Sequence, residues 1–164
     1  MIRPVRAEDG EELADLYLAN REFLEPFEPV RTPAFFTADG QRERLVRQLA
    51  DETHPFAILD GDAIAGSINL FRIVRDGPQS GVIGYWIDRA RNGRGLATGA
   101  VGEILAYAFD ALDLHRVEAA TLIDNVPSQR VLEKNTFERI GLARSYLRIA
   151  GEWRDFFLFQ RLAD

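Results

Sequence analysis

Two stretches hold the residues whose types and spacing could do chemistry. The first runs Tyr85-Trp86-Ile87-Asp88-Arg89-Ala90-Arg91-Asn92-Gly93-Arg94-Gly95-Leu96-Ala97-Thr98-Gly99. It reads as a strand end, a glycine-bearing turn and the start of an amphipathic helix. The first N–H groups of a helix lack partners, and its dipole is positive at that end. Glycines let the backbone come close to a ligand, so this turn can hold an anion, most naturally phosphate. Arg91 and Arg94 add charge. The pattern is neither a Walker A loop, which needs Gly-Lys-Ser/Thr, nor a full Gly-x-Gly-x-x-Gly. A turn of small residues for close packing explains the same fragment.

The second stretch is Asn125-Val126-Pro127-Ser128-Gln129-Arg130-Val131-Leu132-Glu133-Lys134. Asn125 follows a strand and can cap the next helix, with Ser128 three residues on. Arg130 and Lys134 stand at i, i+4 on one face, either solvated or touching a phosphate. The carboxylates placed to act as bases are Asp124, Glu103, Asp88 and Glu22, with Asp124 preferred because it adjoins Asn125 at a strand end. Each is equally explained as a solvated surface group. His54 precedes a proline and His115 lies in a helix-to-strand turn. Neither has a neighbour that suggests a metal site, and no metal is expected.

The surrounding elements must position these stretches. Ile2 to Arg6 reads as a short strand. Asp9 can cap a helix, with Glu12 as its capping-box partner. Thr37 opens a second helix with Leu45, Val46 and Leu49 on one side. Strands follow at 56–59, 63–74 and 82–87. The helix after Gly95 carries Val101, Ile104, Leu105, Ala108, Phe109 and Leu112 on one apolar face. A strand at 117–123, a short helix from Pro127 and a hairpin over 144–162 complete the chain. Between Phe23 and Phe36, Pro26, Pro29 and Pro33 forbid a continuous helix. The phenylalanines there pin a loop to the core, or form a wall of a binding cleft, or both. The order gives one mixed α/β domain over residues 1–164, with helices on both faces of one sheet.

The chain has 164 residues and no cysteine, which excludes disulfides, a thiolate nucleophile and thiolate metal sites. Its net charge of −6 argues against stable nucleic-acid binding. No apolar run approaches the roughly 18 residues of a membrane span, and there is no signal-peptide core. A soluble, cytoplasmic protein is expected.

In this order the two stretches resemble the GNAT (Gcn5-related) N-acetyltransferases, and more narrowly the RimJ/RimL type that acetylates ribosomal-protein N-termini. Gly84-Tyr85-Trp86-Ile87 followed by Asn92-Gly93-Arg94-Gly95-Leu96-Ala97 is similar to that family's acyl-CoA pyrophosphate motif. Asn125-x-x-Ser128-x-x-Val131-Leu132-Glu133-Lys134 is similar to its second CoA motif. Ala143 to Arg148 with Trp153-Arg154-Asp155 resembles its closing hairpin, and Asn20-Arg21 before the front loop also fits. The sequence departs from the family at Asn92, where Gln or Arg is usual, and at Thr136, where Gly is usual. It also has Leu132 where many members carry a tyrosine acid, and Gly99 where many of this branch have Glu.

The resemblance implies a central, largely antiparallel twisted sheet of about seven strands, flanked by about four helices and splayed in the middle for acetyl-CoA. It implies direct attack of an amine on the thioester, without a covalent enzyme intermediate. Catalysis would be positioning plus oxyanion stabilisation. A backbone N–H near Trp86-Ile87-Asp88 would be the oxyanion donor, and Gly93 to Thr98 would hold the pyrophosphate. Asn125 would orient pantetheine or substrate, and Ser128 would donate a hydrogen bond to the leaving thiolate. With Asp124 as base these form the expected catalytic set, and Arg130 and Lys134 join the CoA contacts. Glu22, Phe23, Phe27 and Tyr85 are expected to meet the acceptor.

An α-amine near pKa 8 is about one-tenth neutral at pH 7, roughly 250-fold more than a lysine, so it needs only a weak base. The expected acceptor is a protein or peptide N-terminus. The alternatives are a small amine (polyamine, amino acid or antibiotic), or non-catalytic acyl-CoA binding. The family's habit, the Phe-rich front loop and the apolar run Phe156 to Phe159 point to a homodimer, although a strand buried on both sides explains that run equally well.

Overall fold

A computed structural model describes residues 1–163. Seven strands form one sheet in the order β1-β2-β3-β4-β5-β7-β6. They are β1 (Ile2–Pro4), β2 (His54–Asp60), β3 (Ala63–Val74), β4 (Ser80–Ile87), β5 (Arg116–Leu122), β6 (Glu138–Ile149) and β7 (Glu152–Leu162). Neighbours run antiparallel except β4 and β5. The helices are α1 (Gly10–Ala19), α2 (Arg21–Leu24), α3 (Ala38–Ala50), α4 (Leu96–Ala106) and α5 (Val126–Lys134). The helix beyond the expected number is the single turn α2. The front loop after it folds into two 3-10 turns, Glu25–Phe27 and Pro33–Phe36, each holding a proline in its first residues.

Alternation along the strands sends neighbouring residues to opposite faces. Phe56 and Ile58 pack with Val101, Ile104 and Leu105 of α4 on one side. Ala57 between them packs with Leu13 of α1 and Leu45 of α3 on the other. The apolar face of α4 continues through a wide π-type turn, Tyr107–Ala111, in which Ala108 is fully buried. Burying each large side chain of this face stabilises by about 1.5–3 kcal/mol. Phe156 and Phe159 are also buried, on a strand hydrogen-bonded on both edges.

Two local expectations differ. Of the apolar face expected on α3, Leu45 is buried, while Val46 and Leu49 are 61% and 59% exposed. The helix meets the domain along a narrow stripe shared by Leu45 and Gln41, whose amide donates to the Phe35 carbonyl. At α1 the carboxylate of Asp9 accepts from the Arg3 guanidinium at 2.7 and 2.8 Å and from the Arg6 N–H. Glu12 accepts from the Ile64 N–H instead of closing a capping box. The hydrogen bond from Arg3 holds the Asp9 carboxyl below its ordinary range.

The sheet splits in its middle. Strands β4 and β5 pair only from Ser80–Val82 to Arg116–Glu118. Beyond that, β4 keeps only β3, and β5 keeps only β7. A wedge opens between Ile83–Ile87 and Ala119–Leu122, and α4 and α5 begin just past its mouth.

Candidate active site

Helix α4 starts without a cap. Gly95 at its N-terminus has φ +79°, a left-handed conformation natural to glycine, and no side chain caps it. The first hydrogen bond into the helix runs from Gly99 N–H to Gly95 O at 2.9 Å. From Gly93 to Thr98 no backbone N–H has an acceptor among the described residues. A Cβ placed on Gly93, Gly95 or Gly99 would meet nothing within 4 Å, so the space in front is open. Asn92 is exposed beside this turn. Consecutive free N–H groups at a positive helix end form an anion site. The nearby arginines are already paired: Arg94 with Asp60, and Arg91 with Asp88 at 3.6 Å and Asp60 at 4.0 Å.

Helix α5 starts with a cap. The Asn125 side chain accepts from Ser128 N–H at 3.2 Å, and Pro127 occupies the first turn. This places the Ser128 hydroxyl on the wedge, 2.9 Å from the Tyr85 hydroxyl on β4. Tyr85 also lies 3.2 Å from the Ser128 carbonyl. Burial pushes the Tyr85 phenol up to about 12, against the opposing pull of the Ser128 hydrogen bond. Tyr85 therefore stays protonated at any working pH. The wedge is lined further by Trp86, Thr121, Leu132 and Phe156. Thr121 is buried there and its hydroxyl has no partner among the described residues.

The open edge of β4 follows from its register. Asp88 N–H donates to the Ala65 carbonyl at 2.7 Å. Antiparallel residues alternate in the side to which they bond, so Trp86 N–H also faces β3, and the N–H groups of Tyr85 and Ile87 face the wedge. Gly66 permits this close pairing, since a Cβ there would lie 2.1 Å from the Trp86 carbonyl.

A second cavity adjoins the wedge under the front loop. Its lining includes Tyr17, Arg21, Glu25, Glu28, Arg31 and Phe36. Aromatic contacts connect the two: Phe36 meets Phe35 at 5.3 Å, Phe35 meets Tyr17 at 4.7 Å and Tyr17 meets Trp86 at 4.5 Å. The indole N–H of Trp86 donates to the Tyr17 hydroxyl at 2.7 Å. The buried Asn20 clamps the same corner, donating to Asp88 at 3.1 Å and accepting from Arg89 N–H at 2.9 Å.

The family model described as Acetyltransferase (GNAT) domain matches residues 1–138. A probable N-acetyltransferase, YjcK of Bacillus subtilis, is 40% identical over 160 residues, 94% of this chain and 88% of that protein. The ribosomal protein uS5-alanine N-acetyltransferase of Escherichia coli is 33% identical over 163 residues, covering 94% and 83% of the two chains. The chain belongs to the GNAT acetyltransferase family. Among solved structures, Mycobacterium smegmatis RimJ in complex with CoA-disulfide superposes with a TM-score of 0.93 at 30% identity, covering 99% of this chain and 81% of that one. The protein is an acyl-CoA-dependent N-acetyltransferase.

GNAT acetyltransferases use acetyl-CoA, and the residues present fit that molecule. Free N–H groups before α4 suit a pyrophosphate, and the unpaired edge of β4 suits an amide-bearing arm. The unpartnered Thr121 hydroxyl is a further polar group in the same wedge. Arg130 and Lys134 are exposed on α5 with no acidic partner among the described residues, available to an outer phosphate.

Of the residues expected in the acetyltransferase site, Trp86, Asn125, Ser128, Phe27 and Tyr85 line the wedge together. Several others are placed elsewhere. Asp124 lies outside the wedge lining, 63% exposed, its carboxylate 3.1 Å from Arg154. The turn after β5 carries it into solvent, where the cation of β7 takes it. The Asp88 N–H is committed to Ala65, so the wedge-facing N–H in the expected oxyanion region is that of Ile87. The Asp88 carboxylate caps the turn Arg89–Arg91. Glu103 accepts from the Ile2 N–H at 2.8 Å, a contact of the sheet edge. Glu22 is exposed and Phe23 packs on Phe27 at 6.2 Å, and neither lines the wedge or the second cavity. His54 Nδ1 lies 2.8 Å from the Tyr107 hydroxyl, and burial lowers its pKa. Sequence reasoning did not single out Tyr17, Leu24 or Thr121, which reach the site through space and carry no motif.

Proposed function

We propose that this acetyltransferase moves the acetyl group of acetyl-CoA to the N-terminal α-amine of a protein or peptide, as its ribosomal-protein relatives are named for doing. The observation that carries the reading is the unbroken row of free N–H groups from Gly93 to Thr98 beside a wedge that opens into a second cavity under the front loop. The row and the wedge suit the CoA, and the cavity suits an acceptor arriving from the other side. The likeness over 94% of the chain to the uS5-alanine enzyme supports an N-terminal acceptor.

The acetyl donor supplies an activated thioester carbonyl. The chain holds and orients it through the α4 start and the edge of β4, with Ile87 N–H available to a developing oxyanion. At Ser128 the hydroxyl protons have two arrangements. If Tyr85 donates to the Ser128 carbonyl, the serine proton points back at the phenol. If Tyr85 donates across the shorter 2.9 Å contact to Ser128 Oγ, the serine proton is free to point into the wedge. We favour the second arrangement, which aims a donor at the departing sulfur. Ser128 is then a hydrogen-bond donor, and the proton for the thiolate comes from water. Asn125 sets the position of Ser128 through the cap.

The reading includes a cytoplasmic setting, no stable nucleic-acid partner, and self-association through the outer strand β6, where Ile140, Leu142 and Tyr146 are exposed. The test is thiol release from acetyl-CoA with the purified protein and a panel of unblocked peptides, spermidine and free amino acids. Turnover of peptides, absent with their N-acetylated forms, is the expected result. Turnover of the small amines alone would replace the N-terminal acceptor by a small-molecule one.

A further inference from the structure

The residues lining the wedge and the front-loop cavity overlap at Leu24 and Glu28, and of these only Glu28 is charged. Two hydrogen bonds hold Glu28. Its carbonyl accepts from Ala150 N–H at 3.0 Å, which ties the front loop to the turn of the β6–β7 hairpin. Its Oε2 accepts from Arg31 Nε at 3.2 Å. Arg31 is itself laid over the Phe35 ring at 4.5 Å. The side chain is 19% exposed, and its Oε1 has no donor among the described residues. The other charges of the cavity are Arg21, which lies over Phe36 at 4.9 Å, and Glu25, which lines the front cavity alone.

We propose that the Glu28 carboxylate is the ligand for the acceptor's ammonium group. Its free oxygen accepts a hydrogen bond from the incoming nitrogen at the point where the front cavity meets the wedge. This inference rests on the acetyl-transfer reading and adds the residue that recognises the acceptor. Arg31 orients the carboxylate and leaves one oxygen for the substrate. A charge-assisted hydrogen bond at a half-buried carboxylate is stronger than a neutral one and sets both position and specificity. In the balanced reaction the ammonium loses two protons and keeps one on the amide. The C–N bond forms as the C–S bond breaks. One proton ends on the CoA thiol and the other in solvent, and Glu28 holds the nitrogen while this occurs. The plain structural alternative is that Glu28 and Arg31 merely fasten the loop.

The test compares wild type with Glu28→Gln and, as control, Glu11→Gln, at an exposed residue of α1 that lines neither cavity. Each is assayed with an alanine-initiated hexapeptide, with its des-amino analogue as inhibitor, and with spermidine and free alanine as other acceptors. Glu28→Gln is expected to raise the acceptor KM about 10- to 100-fold and to abolish the preference for the peptide over its des-amino analogue. The acetyl-CoA affinity and Tm should stay at wild-type values. Glu11→Gln should move the acceptor KM by less than about threefold. A loop fastener would lower Tm or weaken all ligands alike, and would leave the des-amino preference intact; that result overturns the proposal. Absence of turnover with every amine overturns it as well. If wild type acetylates spermidine or alanine but no peptide, the N-terminal acceptor fails. Glu28 is then judged on that amine, by whether Glu28→Gln raises its KM.

Discussion

Helices α4 and α5 follow the two strands that diverge at the wedge, yet they begin in opposite ways. The start of α4 is a left-handed glycine with a row of N–H groups that nothing among the described residues accepts. The start of α5 is closed by Asn125, whose side chain takes the Ser128 N–H. An uncapped helix start costs stability, commonly about 1 kcal/mol. The chain accepts that cost at α4, where an anion can take the place of the cap. At α5 the cap serves a different end, since it sets the serine hydroxyl against Tyr85. One helix start leaves its N–H groups open to an anion, and the other holds a single side chain in place.

This contrast can be broken by substitution. Gly95→Glu would put a carboxylate where the anion belongs, on a residue at φ +79°. Acetyl-CoA affinity should fall at least about 100-fold by calorimetry, with the circular dichroism spectrum preserved. Ser128→Ala should leave that affinity within about threefold but lower kcat about 10- to 100-fold, as expected for one lost hydrogen bond to a developing charge. Asn125→Ala should lower kcat by less than Ser128→Ala and cost about 1 kcal/mol in chemical denaturation. Equal loss of CoA affinity at both helix starts would erase the distinction.

The far end of α5 sharpens the contrast at smaller scale. Thr136 has φ +57° in the position just past the helix, where the family pattern has glycine. A β-branched residue is strained there. Thr136→Gly should stabilise by up to about 1 kcal/mol, the relief of strain being partly offset by the freer unfolded chain, with kinetics unchanged.

Much of this was legible because it is local. The 3.6-residue spacing from Val101 to Ala108 marked α4, and the glycine turn before it marked the helix start whose N–H groups are left open. The Asn125 to Ser128 spacing marked the α5 cap. What was hidden depends on which groups meet through space. Asp124 looked well placed by chain position, but Arg154 comes from thirty residues away to take it. Asp88 N–H looked free until the β3 register assigned it to Ala65. Val46 and Leu49 fit a helical face, but the domain offers only a narrow contact to α3. Glu22, Glu25 and Glu28 stand close together in the sequence, and only the fold distinguishes Glu28 from the other two.

The wedge also bears on how long the molecule survives. A sheet interrupted in its middle leaves backbone edges to solvent until a partner binds, and a ligand that binds the folded form alone adds about 2.7 kcal/mol at a hundredfold excess over Kd. The folded population would then rise and fall with the acetyl-CoA pool. Resistance to a general protease should lengthen as acetyl-CoA is added and be insensitive to free acetate.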